Sequence, residues 1–168
     1  MNKSNKTVRI EKARPEHVPR VMELMRGLAE YEKLLENFHV TEALLVRYLF
    51  SENPTAELLV GVIGGDIHGY ALFYQNFSSF LGRPGIYLED VYVAPSVRGM
   101  GLGKALLAEV IRIALKRGCQ RCDWTVLDWN EPAIYFYESL GANLLHEWRL
   151  CRIEAEAMER LIGKNGIG

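Results

Sequence analysis

The sequence predicts an α/β fold of the α+β kind, and three observations predict it. Apolar runs of strand length alternate along the chain with stretches whose apolar residues recur at helical spacing. Two of the strongest runs are separated only by Gly64-Gly65-Asp66, residues suited to a tight antiparallel hairpin. A third run, Ile86 to Val93, leads through a glycine-rich loop into a long apolar helix. With 168 residues the chain fits a single domain, expected over 1–168 with an ordered core at about 7–162.

The elements follow in order. Thr7 to Ile10 reads as a short first strand. Pro15 opens a helix whose Val18, Val21, Met22, Met25, Leu28 and Ala29 share one face, ending at Tyr31 to Lys33. Thr41 is an N-cap for a second helix carrying Leu44, Leu45, Tyr48 and Leu49, which stops before Asn53-Pro54. Glu57 to Ile63 and Ile67 to Tyr74 form the hairpin, and Ser78 to Gly85 reads as a glycine-bearing loop. In Ile86 to Val93 the carboxylates Glu89 and Asp90 are adjacent, so strand alternation puts one on each face of the sheet, at least one of them partly buried. From Lys104 to Arg117 the polar residues Lys104, Glu109, Arg112 and Lys116 form one narrow stripe, so this helix is expected to be mostly covered, with Gly118 as its C-terminal cap. Cys122 to Leu127 reads as a strand, Asn130 to Leu140 as a helix capped by Asn130, Leu144 to Ile153 as a last strand, and Gly163 to Gly168 as frayed.

Composition narrows function by exclusion. Acids outnumber bases 21 to 20, so the basic excess of a dedicated nucleic-acid binder is missing and any anion site must be local. Met1 to Lys6 is polar and leads into no apolar segment, and no apolar run approaches the ~20 residues of a membrane span. A cytoplasmic protein outside the membrane is expected. Cys119, Cys122 and Cys151 are odd in number and read as reduced packing residues rather than a disulfide framework or zinc site. His17, His39, His68 and His146 are scattered, and no metal is expected.

The chemistry concentrates in Arg98-Gly99-Met100-Gly101-Leu102-Gly103-Lys104. Glycines let a backbone turn its amides toward an anion at close range, and the helix that follows adds unpaired N–H groups and a positive dipole end. Arg98 and Lys104 add full charges. A nucleotide P-loop would need glycine at Arg98 and Ser or Thr at Ala105, and a dinucleotide GxGxxG would need glycine at Lys104 or Leu106, so both fail. What survives is R-x-x-G-x-G, alongside the alternative of a glycine turn that holds no ligand.

Arg98, Gly101 and Gly103 in that pattern resemble the acetyl-CoA pyrophosphate loop of the GNAT superfamily of N-acetyltransferases, and the order of elements over roughly residues 7 to 155 resembles its fold, a mixed, mainly antiparallel sheet flanked by helices. Tyr87-Leu88-Glu89-Asp90, Trp129 to Ile134, Phe136-Tyr137, Gly141-Ala142 and Trp148-Arg149-Leu150 look like the diamine and polyamine (spermidine/spermine) branch, and Leu28 to Leu34 is similar to its thialysine-type members. The resemblance implies Glu89 as the base that takes the amine proton and Tyr137 as the acid that protonates the coenzyme A thiolate. It implies cofactor contacts from Val91, Tyr92 and Val93, from Arg98, Gly99, Met100, Gly101, Leu102, Gly103 and Lys104, and from Asn130, Pro132, Ala133 and Tyr137. For the acceptor it implies Tyr31, Glu32, Glu89, Asp90, Asp123, Trp124 and Thr125.

Chemistry agrees with these roles and leaves others open. An alkylammonium with a pKa near ~10.4 needs a base before it can attack, and a phenol is still protonated at neutral pH. Glu89 also fits a buried structural carboxylate, Tyr137 a core or rim tyrosine, Asn130 a helix cap alone, and Glu30 and Glu32 a solvated helix end. Asp128 is a further carboxylate that could face a cationic acceptor. Cys151 stands where the family often has an aromatic, which alters the expected shape of the groove. Three functions fit: acetyl transfer from acetyl-CoA to a small amine, either a diamine or polyamine or a thialysine-like amino acid; acetylation of a protein or peptide amine; and an inactive acyl-CoA-binding regulator. The resemblance also implies a homodimer that aligns or exchanges the last strand, since an apolar Leu144 to Ile153 would make a poor free edge.

Overall fold

The computed structural model describes residues 7–163, so the expectations for Met1 to Lys6 and for Lys164 to Gly168 lie outside the described residues. The chain divides into two compact units, Met1–Leu127 and Asp128–Gly168.

The first unit contains, in order, β1 (Val8–Lys12), α1 (Val18–Tyr31), α2 (Glu42–Leu49), β2 (Glu57–Ile63), β3 (Asp66–Ser78), β4 (Arg83–Val93), α3 (Leu102–Lys116) and β5 (Cys122–Asp123). The sheet order is the chain order, with β1 to β4 antiparallel and β5 parallel to β4. It is the mixed, mainly antiparallel sheet that the sequence predicts.

Local chemistry explains the boundaries. Gly64 and Gly65 have φ of 65° and 100°, as a two-residue hairpin turn requires. Thr41 caps α2 by accepting from the Leu44 amide at 3.3 Å. Gly118, φ 74°, ends α3 in a Schellman turn, with the Cys119 amide bonded to the Ala114 carbonyl at 3.0 Å. Ser78 to Gly85 is not a long loop: β3 and β4 stay paired out to Ser78 and Arg83, so only 79–82 turn. The cross-strand ladder overrides the local glycine signal there.

The helices lie on opposite faces. α1 buries Val18, Val21, Leu24 and Met25 on the side of Tyr70 and Tyr92. On the other face Leu102, the first residue of α3, lies over the paired Gly61 and Gly69, where added Cβ atoms would come within 2.7 Å and 3.2 Å of its side chain. Those bare backbones let the helix start dock on the sheet and so fix the loop before it. Contrary to the stripe count, α3 is only half covered, with Ile111 and Leu115 exposed, because a helix on one sheet face shields only the side against the sheet. β5 is also shorter than the expected Cys122 to Leu127: β4 turns away from it after the Tyr87↔Asp123 pair.

Cys119 and Cys122 have Cys-x-x-Cys spacing, which alone would suit a redox pair or half a zinc site. Both are free thiols, Cys119 buried and Cys122 half-buried, and burial, with smaller contributions from Asp123 and Cys119, pushes the Cys122 thiol up to about 11. Their burial fits the packing role expected of them.

The second unit holds α4 (Glu131–Ser139) and α5 (Ala155–Ile162). Leu144 to Ile153 is not a strand; within this unit no strand is described that could complete its ladder, and Leu145, Trp148, Leu150 and Ile153 remain exposed. The sequence reading has no counterpart for α5, although Ala155, Met158, Leu161 and Ile162 keep helical spacing.

Candidate active site

The glycine loop adopts the conformation its sequence demands. Gly99 and Gly101 have φ of 80° and 84°, which disfavour any side chain. Gly103 differs: it has no positive φ, and an added Cβ would meet only Val93, at an ordinary 3.6 Å. Neither strain nor crowding requires glycine there, whereas bare backbone in the first turn of α3 suits close approach by a phosphate. Among the described residues the amides of Gly99, Gly101, Leu102, Gly103 and Lys104 have no protein acceptor, while those of Arg98, Met100 and Ala105 are bonded locally. Met100 and Lys104 are exposed, and Leu102 is buried as the anchor. The donor set fits a diphosphate.

β4 supplies the second half. Its register with β3 shifts between Leu72 and Phe73: Leu72 pairs with Asp90 and Phe73 with Leu88, so Glu89 is the extra residue of a β-bulge. The bulge corrects the expectation that Glu89 and Asp90 lie on opposite faces. Tyr87 stacks on Tyr74, ring centres 5.3 Å apart, and Tyr92 lies by Tyr70 at 6.4 Å, so Tyr70, Leu72, Tyr74, Tyr87, Asp90 and Tyr92 share the α1 face. Alternation from Tyr87 brings Glu89 to that face as well. Two neighbouring carboxylates therefore point the same way.

Their environments differ. Glu89 is exposed, whereas Asp90 is half-buried and accepts a hydrogen bond from the Tyr70 hydroxyl at 3.1 Å. Burial, then the fields of Glu89 and Glu32, raise the Asp90 carboxyl to about 6 against the opposing effect of the Tyr70 bond. Burial also raises Glu32, and it lifts Tyr70 well above the ordinary phenol range, helped by Asp90. Tyr70 is absent from the residues that sequence reasoning selects; its partnership with Asp90 follows from the bulge, which no single strand announces.

The edge of β4 is open where β5 leaves it. The Ala94 amide donates to the His68 carbonyl at 2.8 Å, so alternate residues Val91 and Val93 turn their amides and carbonyls away from β3. These are the amides expected to grip a cofactor arm, and Tyr92 between them is instead a buried side chain on the α1 face. Arg98 points elsewhere than the loop: its Nε donates to the Val93 carbonyl at 3.1 Å, and its guanidinium lies over the rings of Tyr31 and Tyr92. Of the remaining acceptor residues, Asp123 is ion-paired with Arg121 at 2.9 Å, Thr125 receives the Tyr87 hydroxyl at 3.4 Å, and Trp124 is half-buried. Glu30 is exposed.

In the second unit Asn130 is buried and caps α4, its side chain accepting from the Ala133 amide at 3.4 Å, with Pro132 in the first turn. Tyr137 is half-buried, its ring centre 5.4 Å from that of Phe136, and its carbonyl accepts from Ala142 in a Schellman turn around Gly141. Asp128 is exposed. Among the described residues no cluster of three or more His, Cys, Asp or Glu stands as a metal site would.

A strand that bulges beside an open edge, followed by an amide-lined glycine loop and helix, defines an acyl-CoA-binding α/β fold. Residues 20–142 match the Acetyltransferase (GNAT) family, and the chain belongs to that family. It is 39% identical over 169 residues to a thialysine N-epsilon-acetyltransferase of Sus scrofa, covering 94% of this chain and 99% of the relative. It is 30% identical to an L-ornithine N5-acetyltransferase of Arabidopsis thaliana, covering 91% of this chain and 87% of that one. Among solved structures, an integron cassette protein from the mobile metagenome of V. cholerae superposes with a TM-score of 0.76 at 28% identity, over 92% of this chain and 96% of the other.

Proposed function

We propose that the protein transfers the acetyl group of acetyl-CoA to the primary amine of a small cationic acceptor, by direct attack. The observation that carries this reading is the bulge at Glu89, which gathers two carboxylates on one face beside the open edge at Val91 and Val93. Similarity to thialysine and ornithine acetyltransferases supports an amino-acid amine; similarity to a spermidine/spermine N(1)-acetyltransferase-like protein of Homo sapiens, 31% identical over 83% of this chain and 21% of that one, supports a polyamine.

When bound, acetyl-CoA supplies an activated thioester and a sulfur leaving group. The loop amides of Gly99, Gly101, Leu102, Gly103 and Lys104 hold its diphosphate, with the charge of Lys104 beside them. Val91 and Val93 donate to the pantetheine arm and to the acyl oxygen as it gains charge. Glu89, exposed to solvent, takes the proton of the acceptor ammonium. Glu32 and Asp90, with Tyr31, attract and orient the cation, and Trp124 and Thr125 complete the acceptor wall. On the family pattern Asn130, Pro132 and Ala133 line the pantetheine arm and Tyr137 protonates the departing sulfur. The reading takes residues 1–168 as a single GNAT domain, of which the family match spans residues 20–142. It also includes a homodimer and a cytoplasmic, reducing location, which suits three free thiols.

The test is thiol release from acetyl-CoA against thialysine, lysine, ornithine, spermidine, spermine, putrescine and a peptide N-terminus. Turnover with the small amines is expected, with kcat reduced about a hundredfold or more in Tyr137→Phe and in Glu89→Gln. Acetylation of the peptide alone would overturn the acceptor class, and failure to bind coenzyme A would overturn the whole reading.

A further inference from the structure

Arg98 opens the glycine loop, yet it touches the acceptor side of the fold. Its Nε bonds the Val93 carbonyl at 3.1 Å, on the edge that β5 leaves open. Its guanidinium carbon lies 5.2 Å from the ring centre of Tyr31 and 5.6 Å from that of Tyr92. Tyr31 is the last residue of α1, and the Tyr92 hydroxyl abuts Gly27 of the same helix, where an added Cβ would come within 2.8 Å. One planar side chain thus joins the end of α1, the end of β4 and, through its own backbone, the loop that starts α3. Lysine could carry the charge but not the flat fork that stacks and donates together.

The turn it joins carries a strained backbone position. α1 closes in a Schellman turn, the Leu34 amide bonded to the Ala29 carbonyl at 2.8 Å, but the left-handed position is Lys33, φ 60°, where glycine is usual. Tyr31 is 36% exposed and α1 has no basic residue in its last turn, so the Arg98 guanidinium brings a cation to the negative end of the helix dipole.

We propose that Arg98 is a positioning residue that clamps the end of α1 against β4, setting Tyr31 and Glu32 opposite Asp90 before the amine arrives. The proposal rests on the acceptor site assigned above and deepens it: the cofactor loop and the acceptor wall share one side chain.

The experiment compares Arg98→Lys, Tyr31→Ala, Tyr31→Phe and the Arg98→Lys/Tyr31→Ala double variant. Hydrogen exchange of the free protein reads the clamp directly. Amides of Glu32, Lys33 and Leu34 should exchange about threefold to tenfold faster in Arg98→Lys and Tyr31→Ala, as loss of a cation–π contact predicts, and at the wild-type rate in Tyr31→Phe. The amine KM should rise by a similar factor, the double variant no worse than the worse single one, while calorimetric affinity for coenzyme A in Arg98→Lys stays within about twofold. Unchanged exchange, additive effects on KM, or coenzyme A affinity reduced tenfold with the amine KM intact would each overturn the clamp; the last would return Arg98 to the phosphate cradle. Should Arg98→Lys melt early, the contrast of Tyr31→Ala with Tyr31→Phe decides alone. A wild-type protein that turns over no amine would defeat the proposed function, whereas the exchange rates would still judge the clamp.

Discussion

Asp90 is the residue whose surroundings depart furthest from those of an ordinary carboxylate. Its folded-state carboxyl is raised from 3.8 to about 6, first by burial and then by Glu89 and Glu32. The folded chain thus binds a proton that the unfolded chain releases at lower pH. The stability tied to that proton is complete below pH about 4 and is lost as pH rises through about 6. Asp90→Asn removes the cost of the buried charge and still accepts from Tyr70, so it should stabilise the protein at pH 7.5 by up to about 3 kcal/mol. The gain should vanish near pH 4, as melting curves across pH would reveal. The same variant should lose activity: in the parent, kcat/KM for the amine should rise through pH about 6 as Asp90 ionises to meet the cation, and Asp90→Asn should lack that limb. Lys33 allows a second prediction of the same kind. At φ 60° it occupies a position that costs a side chain about 1 kcal/mol, so Lys33→Gly should raise the melting temperature by a few degrees.

At the level of the element, the start of α3 sets stability against binding. Gly103→Ala replaces a glycine in a helical conformation, with only a 3.6 Å contact to Val93 in its way. Alanine there should stabilise the free protein by about 0.5–1 kcal/mol. If Gly103 is bare because a diphosphate lies against it, the added methyl should also weaken coenzyme A binding about tenfold, and calorimetry beside thermal melting separates the two effects. An alanine variant that binds normally would detach Gly103 from the cofactor. Why these features were legible, and others not, depends on how far apart the deciding residues stand. Thr41, Gly118 and Asn130 cap their helices through partners within five residues, so the sequence shows them. The glycine loop is legible for the same reason. The bulge at Glu89 is a mismatch between two strands, and the side of the sheet taken by a carboxylate cannot be counted from one of them. Tyr70 and the stacked Arg98 were hidden by that same distance along the chain. Leu144 to Ile153 has strand composition, but a strand is a ladder, and composition names no partner.

At the scale of the whole molecule, that last segment is the unresolved account of the fold's apolar surface. Leu145, Trp148, Leu150 and Ile153 are 57%, 69%, 70% and 47% exposed, in a stretch of sequence that alternates apolar and polar residues around Trp148 and Leu150. Four large apolar side chains within nine residues are costly to leave in water, at roughly 1.5–3 kcal/mol for each one fully covered. A second copy of the chain, as the proposed homodimer supplies, would cover them and complete the missing ladder. Sedimentation equilibrium at micromolar concentration should therefore return twice the 19.1 kDa chain mass. Because the assembled state binds a partner that the unfolded state does not, the melting temperature should rise with protein concentration. Trp148→Glu and Leu150→Lys, exposed in the single chain, should cost it little yet shift the assembly toward monomer and abolish the concentration dependence. A wild-type chain that sediments as a monomer and melts at one temperature across a hundredfold range of concentration would show that this segment meets no copy of itself.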